Sequence, residues 1–237
     1  MRIRKQRHYH QFRPRYNAQP AALSWTHRLT IYLLLTIAWL AYFAIHSLLA
    51  ANGFKARIAA CCPALARRYR LFYNLFASVT ILIPLAIVLL HPGPLLWQWQ
   101  GAGHWLMNLL ALLAIAGFLV SSRHYDMAAF LGLREGSGSI GCADDPFTLS
   151  DFHRYVRHPW YFFGLILIWT RDMPLAWFIT CVLATLYFIV GSRWEEEKLI
   201  TEYGDIYARY RARVPGLIPL PWKYLGREEA RKLLEEA

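Results

Sequence analysis

Leu29-Thr-Ile-Tyr-Leu-Leu-Leu-Thr-Ile-Ala-Trp-Leu-Ala-Tyr-Phe-Ala-Ile-His-Ser-Leu-Leu-Ala-Ala51 contains no Asp, Glu, Lys or Arg. At about 1.5 Å of rise per residue it is long enough to cross the ~30 Å hydrocarbon core of a bilayer. It reads as a first membrane-spanning helix, stopped by Asn52-Gly53. Ahead of it, residues 1–28 carry Arg2, Arg4, Lys5, Arg7, Arg13, Arg15 and Arg28 with no acidic residue. They are expected to form a solvated basic arm, because a secretory signal would begin its apolar stretch sooner.

The same reading extends along the chain. Leu71 to Leu90 predicts a second span around Pro84, tolerable in mid-span where neighbouring helices shelter the freed carbonyl. His91-Pro92-Gly93-Pro94 is a turn, and Trp97, Trp99 and Trp105 give the following segment the aromatic enrichment of a membrane–water interface. Ala102 to Val120 is the third span, and residues 121–157 are a polar loop with Gly132, Gly136, Gly138, Gly141, Asp144 and Asp145. Trp160 to Thr170, the turn Arg171-Asp172-Met173-Pro174 and Leu175 to Gly191 then make a tight helical hairpin. The expected fold is an all-α integral membrane bundle of about five transmembrane helices, the last two that hairpin, followed by a cytosolic C-terminal segment. Its divisions are the arm 1–28, a three-span half 29–120, the loop 121–157, the hairpin with a C-terminal binding segment 158–219, and an amphipathic tail 220–237.

Composition supports that fold and excludes others. Hydrophobic residues are 57% and charged residues 17% of the 237, against about 25% charged in a soluble domain. The net charge of +11 does not indicate nucleic-acid binding, since the apolar residues lie in long runs instead of alternating with basic ones. Cys61 and Cys62 are adjacent while Cys142 and Cys181 are distant, so neither a disulfide framework nor a metal site is expected. With five spans, 18 of the 26 Lys and Arg fall on the side of the 52–70 loop, the 121–157 loop and the C-terminal region. The positive-inside rule puts that side in the cytoplasm.

Two stretches carry potential chemistry. The first is Arg154-Tyr-Val-Arg157-His158-Pro159-Trp-Tyr161-Phe-Phe-Gly164. Pro159 suits a first helical position, so Arg157 and His158 sit beside free N–H groups that favour an anion; an interfacial aromatic belt with a snorkelling arginine is the other reading. The second is Arg193-Trp-Glu195-Glu196-Glu197-Lys198, then Tyr203-Gly204, Tyr207, Tyr210, Arg213-Val214-Pro215 and Pro219. Acids at a membrane exit are costly unless partnered. At helical spacing Glu196, Tyr203 and Tyr207 share a face, with Glu195 roughly 100° away and Gly204 placed where the face could break. The alternative is a solvated acidic turn pairing with Lys198 and Arg193. The hairpin brings both stretches to one membrane face, where Arg157, His158, Tyr161, Glu195 and Glu196 could line one site.

Arg157-His158-Pro159-x-Tyr161-x-x-Gly164 before a helical hairpin, then Glu195-Glu196, Tyr203-Gly204-x-x-Tyr207-x-x-Tyr210-x-x-Arg213-Val214-Pro215 and Ile218-Pro219, resembles the C-terminal half of the isoprenylcysteine carboxyl methyltransferase family and its bacterial relatives. His46-Ser47, Tyr69 to Asn74 and His124-x-Asp126 resemble more weakly the branch that contains methanethiol S-methyltransferase and proteins associated with nitrogen-oxide metabolism. The resemblance implies an enzyme of the bacterial inner membrane that takes a methyl group from S-adenosylmethionine in a cytosol-facing pocket. It implies His158, Tyr161, Gly164, Glu195, Glu196 and Tyr207 around the cofactor, and Arg157 with Glu196 as the activity-critical pair. Bound partners would be the bilayer and a small or lipophilic acceptor whose carboxylate or thiol is methylated; the oligomeric state is open. Asp151 and His153 stand where the family usually has glycine and tyrosine, and His153 is either a substrate-side base or a plain polar residue.

Two rivals stand beside this reading. A sterol-reductase-like enzyme binding NADPH shares the His-Pro-x-Tyr element, but normally has Arg-Asp or Arg-Glu at Glu195-Glu196 and Trp at Tyr207. A non-enzymatic membrane accessory or sensor protein of nitrogen-oxide metabolism would need a haem held by two of His46, His91, His104 and His124.

Overall fold

The structure is a computed structural model, and it describes residues 25–134 and 147–236. Most of the basic arm, Gly136, Gly138, Gly141, Cys142, Asp144 and Asp145 lie outside the described residues. The helices are α1 (Trp25–Ala50), α2 (Asn52–Cys61), α3 (Pro63–Ala66), α4 (Tyr69–Thr80), α5 (Leu82–Leu90), α6 (Gly101–Ser122), α7 (Met127–Leu131), α8 (Pro159–Trp169), α9 (Leu175–Arg213) and α10 (Arg227–Glu235). Two short strands, β1 (Leu95–Trp97) and β2 (Met173–Pro174), pair antiparallel.

Among the described residues four helical stretches are long and apolar enough to cross a membrane: α1, α4 with α5, α6, and α9. The expected count of about five includes α8 as well, a shorter apolar helix. The eleven-residue α8 rises only about 16 Å, half a bilayer core. It packs where α6 offers a seam of small residues, Ala111, Ala114, Gly117 and Ser121, with Gly117 beneath the ring of Phe163. Small residues let helices approach closely where lipid gives no hydrophobic drive to pair. The fold of the second span also follows its sequence. Pro84 has no N–H to bond the Thr80 carbonyl, and the helix breaks at Ile81 between α4 and α5.

The helices join through polar pairs: Trp39 Nε1 donates to Thr180 Oγ1 at 2.9 Å in the interior, and Trp169 Nε1 to the partly buried Thr185 Oγ1 at 3.0 Å. Leu35, Trp39, Val88 and Ala176 form the core where α1, α5 and α9 meet. Many other large apolar side chains face outward, such as Leu89 at 80% and Trp105 at 75% exposure, as lipid-facing surfaces require.

The 52–70 stretch, expected as a loop, is built of α2 and α3. Part of the polar loop is ordered too: Asp126 caps α7 by accepting from the Ala129 N–H at 3.0 Å, and Gly132 ends it at φ 77°. Both segments and the C-terminal region lie at one end of the bundle, tied by Arg70 Nη1 to the Ala129 carbonyl (3.2 Å) and by Tyr69 OH to the Leu49 carbonyl (2.7 Å). At the opposite end the β1–β2 ribbon joins the Trp-rich turn to the hairpin tip, reinforced by Leu175 N–H to the Pro94 carbonyl at 2.9 Å.

Candidate functional site

The site forms where α9 leaves its apolar stretch. Residues 175–191 are the apolar part of this 39-residue helix; its continuation carries Glu195 and Glu196 beside the start of α8. After α9, the chain folds back over that start. Arg157 N–H donates to the Pro215 carbonyl at 2.9 Å, His158 N–H to the Gly216 carbonyl at 3.1 Å, and Leu225 N–H to the Arg154 carbonyl at 2.9 Å. Thus the two motifs, more than thirty residues apart, are laced together by backbone.

Glu196 is the centre of the cluster, with its side chain only 5% exposed. Its Oε1 accepts from Arg157 Nε at 2.8 Å and Nη2 at 2.7 Å, and lies 3.0 Å from His158 Nε2; its Oε2 accepts from Arg211 Nε at 3.1 Å. Arg157 Nη1 donates onward to the carbonyls of Arg211, at 2.9 Å, and Val214. Arg157 therefore locks α8, Glu196 and the end of α9 to one another. Burial alone would raise the Glu196 carboxyl, but the bonds and charges of His158 and Arg157 outweigh it and hold its pKa below the ordinary carboxylate value. For His158 burial pushes down, while its bonds to Glu195 and Glu196 prevail and raise it.

Glu195 differs from its neighbour. Its side chain is 49% exposed, with Oε2 at 3.4 Å from His158 Nδ1 and accepting from Tyr161 OH at 3.2 Å. The His158 ring stacks on Tyr161 (centroids 5.3 Å, planes 10° apart), and Tyr161 on Phe188 (4.7 Å, 2°). An aromatic column thus ends at a carboxylate.

Of the residues singled out in the sequence, Arg157, His158, Tyr161, Glu195 and Glu196 converge. Gly164 does not join them. It sits one turn on, at the α8–α9 contact, where an added Cβ would meet Phe188 at an ordinary 3.5 Å. Tyr207 is 2% exposed and packs with Tyr210, Val214, Leu225 and the α10 residues Ala230 and Leu233. Its hydroxyl has no partner among the described residues. The face shared by Glu196, Tyr203 and Tyr207 is interrupted at Gly204, where the sequence suggested it could break: its φ of 55° and ψ of −131° are not helical. Tyr203 and Tyr207 both pack on Phe147, at 5.2 and 6.2 Å.

His153 is a capping residue. Its Nδ1 accepts from the Ser150 N–H at 3.2 Å and lies 2.7 Å from Ser150 Oγ, with Nε2 3.2 Å from Tyr125 OH. A backbone N–H cannot reverse its role, so protonation of Nδ1 would break that cap. Burial first, then the charge of His158, lowers this imidazole to about 4. His46 is held by Tyr73 OH, 2.7 Å from Nε2.

Sequence reasoning missed Arg211, Phe188 and the Pro215–Gly216 carbonyls. It favoured Arg213, which pairs instead with Glu229 of α10. The signal for Arg211 was its place, two residues before Arg213 in the same basic run.

No family model matches the chain, and no solved structure does. It is similar to curated proteins named methanethiol S-methyltransferase. The one from Crocosphaera subtropica is 27% identical over 205 residues, 79% of this chain and 74% of that protein. The one from Mycobacterium tuberculosis is 29% identical over 203 residues, 78% and 77%. Methanethiol S-methyltransferase 2 of Bradyrhizobium diazoefficiens is 29% identical over 192 residues, 79% and 73%. These similarities support a membrane enzyme that transfers methyl groups.

Proposed function

We propose that this chain uses S-adenosylmethionine to methylate a small thiol, at the end of the bundle where Glu195 and Glu196 lie. The observation that carries the reading is the half-exposed Glu195 carboxylate at the head of the His158–Tyr161–Phe188 column, in a chain similar over most of its length to named methyltransferases. When bound, the cofactor supplies an electrophilic methyl group on a sulfonium.

The residues present fit that group. Glu195 offers acceptors to an ammonium, and its negative charge at the end of the aromatic column favours a sulfonium beside it. The first intrahelical bond of α8 is Phe162 N–H to the His158 carbonyl, so the Trp160 and Tyr161 N–H groups have no helical acceptor and suit a carboxylate. The unpartnered Tyr207 hydroxyl is a further donor.

Glu196 has a different role. Its Oε1 is taken by Arg157 and His158 and its Oε2 is held by Arg211, with the side chain only 5% exposed, so it positions those groups and leaves the ligand to the half-exposed Glu195. Methyl transfer between two bound reactants needs chiefly orientation, which a rigid ion cluster provides. A thiol acceptor must lose its proton as its sulfur bonds the methyl carbon, and the released proton goes to water or to a nearby base. We place this end in the cytoplasm, since most Lys and Arg outside the spans lie there; a reporter fused after Pro219 should be active only on the cytoplasmic side.

Calorimetry on detergent-purified protein tests the cofactor. Heat from S-adenosylmethionine and its demethylated product, with none from NADPH, is expected; the reverse would establish the reductase reading. Labelled methyl appearing in dimethyl sulfide from methanethiol, and not in a prenylcysteine methyl ester, would identify the acceptor.

A further inference from the structure

At the opposite end of the bundle lies a cavity of about 450 Å³ with a largely apolar wall, bounded by the end of α5, the first turns of α6 and the hairpin tip. Leu89 at its rim is 80% exposed, so the cavity adjoins the surface that meets lipid. Arg171 and Asp172 both line it.

Arg171 is held entirely by neutral acceptors. Its Nη1 donates to Asn108 Oδ1 at 3.0 Å, and its Nη2 to the Met107 carbonyl at 3.2 Å and Thr170 Oγ1 at 3.3 Å. Its Nε is buried with no partner among the described residues, as is the indole N–H of Trp99, another lining residue. Asp172 likewise has only neutral donors, Gln98 Nε2 and the Trp99 N–H, both at 3.2 Å. Adjacent in sequence and opposite in charge, Arg171 and Asp172 form no ion pair with each other. A guanidinium with a buried unpaired N–H is costly unless something completes it.

We propose that this cavity binds the headgroup of a zwitterionic phospholipid bearing a primary ammonium, with the first carbons of its chains on the apolar wall. Arg171 Nε and the Trp99 indole are the free donors for the phosphate, and Asp172 has lone pairs left for the ammonium. A purely anionic head would leave Asp172 opposed, and a quaternary ammonium has no N–H to give it. The lipid would clamp α5, α6 and the hairpin tip together.

The test measures thermal unfolding and native mass spectra of the detergent-purified chain with added phosphatidylethanolamine, phosphatidylglycerol, phosphatidylcholine or inorganic phosphate. Phosphatidylethanolamine should bind most strongly and raise the midpoint most. Trp99→Phe removes an N–H that bonds nothing in the fold, so the chain should stay folded while binding this lipid about tenfold more weakly. Asp172→Asn should erase the preference for phosphatidylethanolamine over phosphatidylcholine. Equal effects from the three lipids, an equal effect from inorganic phosphate alone, or undiminished binding by Trp99→Phe would each overturn the proposal.

Discussion

The two ends of the bundle hold charge in opposite ways. At the Glu196 end, one carboxylate is met by Arg157, Arg211 and His158. At the hairpin tip, Arg171 and Asp172 are held only by neutral groups. The first arrangement closes on itself and fixes geometry; the second leaves charge unanswered. Breaking a charge pair inside the closed cluster should therefore be far more costly than removing a charge at the open one.

The largest effect expected from that contrast is at Arg157. Arg157→Ala leaves the buried Glu196 carboxylate with only Arg211 and His158 and frees the Arg211 and Val214 carbonyls, and it should cost about 3 kcal/mol of stability, read as a lowered thermal midpoint in detergent. Arg157→Lys should recover only part, because an ammonium cannot reach Glu196 and the carbonyls of Arg211 and Val214 together. A loss at Arg157 no greater than at Arg171 would erase the distinction between the ends.

The pH profile should carry the same signature, set by the Glu196 end. The folded chain resists protonation of His153 down to about 4, whereas an unfolded histidine titrates near 6.5. Its contribution is therefore intact above about 6.5 and lost as pH falls toward 4. Glu196, held low, adds stability that is present above the ordinary carboxylate range and vanishes as pH drops through its depressed value. His158, held high, acts on the other limb: its contribution is full below about 6.5 and disappears as pH rises through its elevated value. Unfolding midpoints measured across pH should thus form a dome, and His153→Gln should flatten the slope between about 6.5 and 4. An unchanged slope there would show that the cap is not the titrating group.

Within the acidic triplet, Glu195→Gln should weaken S-adenosylmethionine binding by about 1.5–3 kcal/mol, one to two decades, with a stability loss smaller than that of Glu196→Gln, since its carboxylate is half-exposed. Glu196→Gln should lower stability and binding together, and Glu197→Gln should change neither. Equal small losses in all three variants would return the triplet to a solvated acidic turn. The smallest loss of the series on the closed-versus-open contrast is Arg171→Gln, expected at about 1–2 kcal/mol, since only neutral acceptors are left behind.

The sequence by itself determined the membrane class, because a run such as residues 29–51 can bury its backbone polar groups in lipid only as a helix. It also brought two of the stretches that meet to one end of the bundle, though not Arg211, Phe188 or the Pro215–Gly216 carbonyls. A proline-started helix, a tight turn and a long return helix leave the Arg157–Tyr161 and Glu195–Glu196 stretches no other place than one membrane face. Tertiary structure alone decided what each does there. Whether an acid touches a ligand or a neighbouring arginine depends on a rotation of about 100° between successive helical positions and on which backbone folds over it. That backbone, at Pro215 and Gly216, is brought in by the end of α9 and the docking of α10, which no local pattern encodes. The same holds for the half-length α8, whose short span is supported by the small-residue seam of α6, and for the cavity at Arg171, made by three segments distant in the chain. Periodicity reads local burial from neighbours in sequence, whereas saturation of a charge is set by neighbours in space.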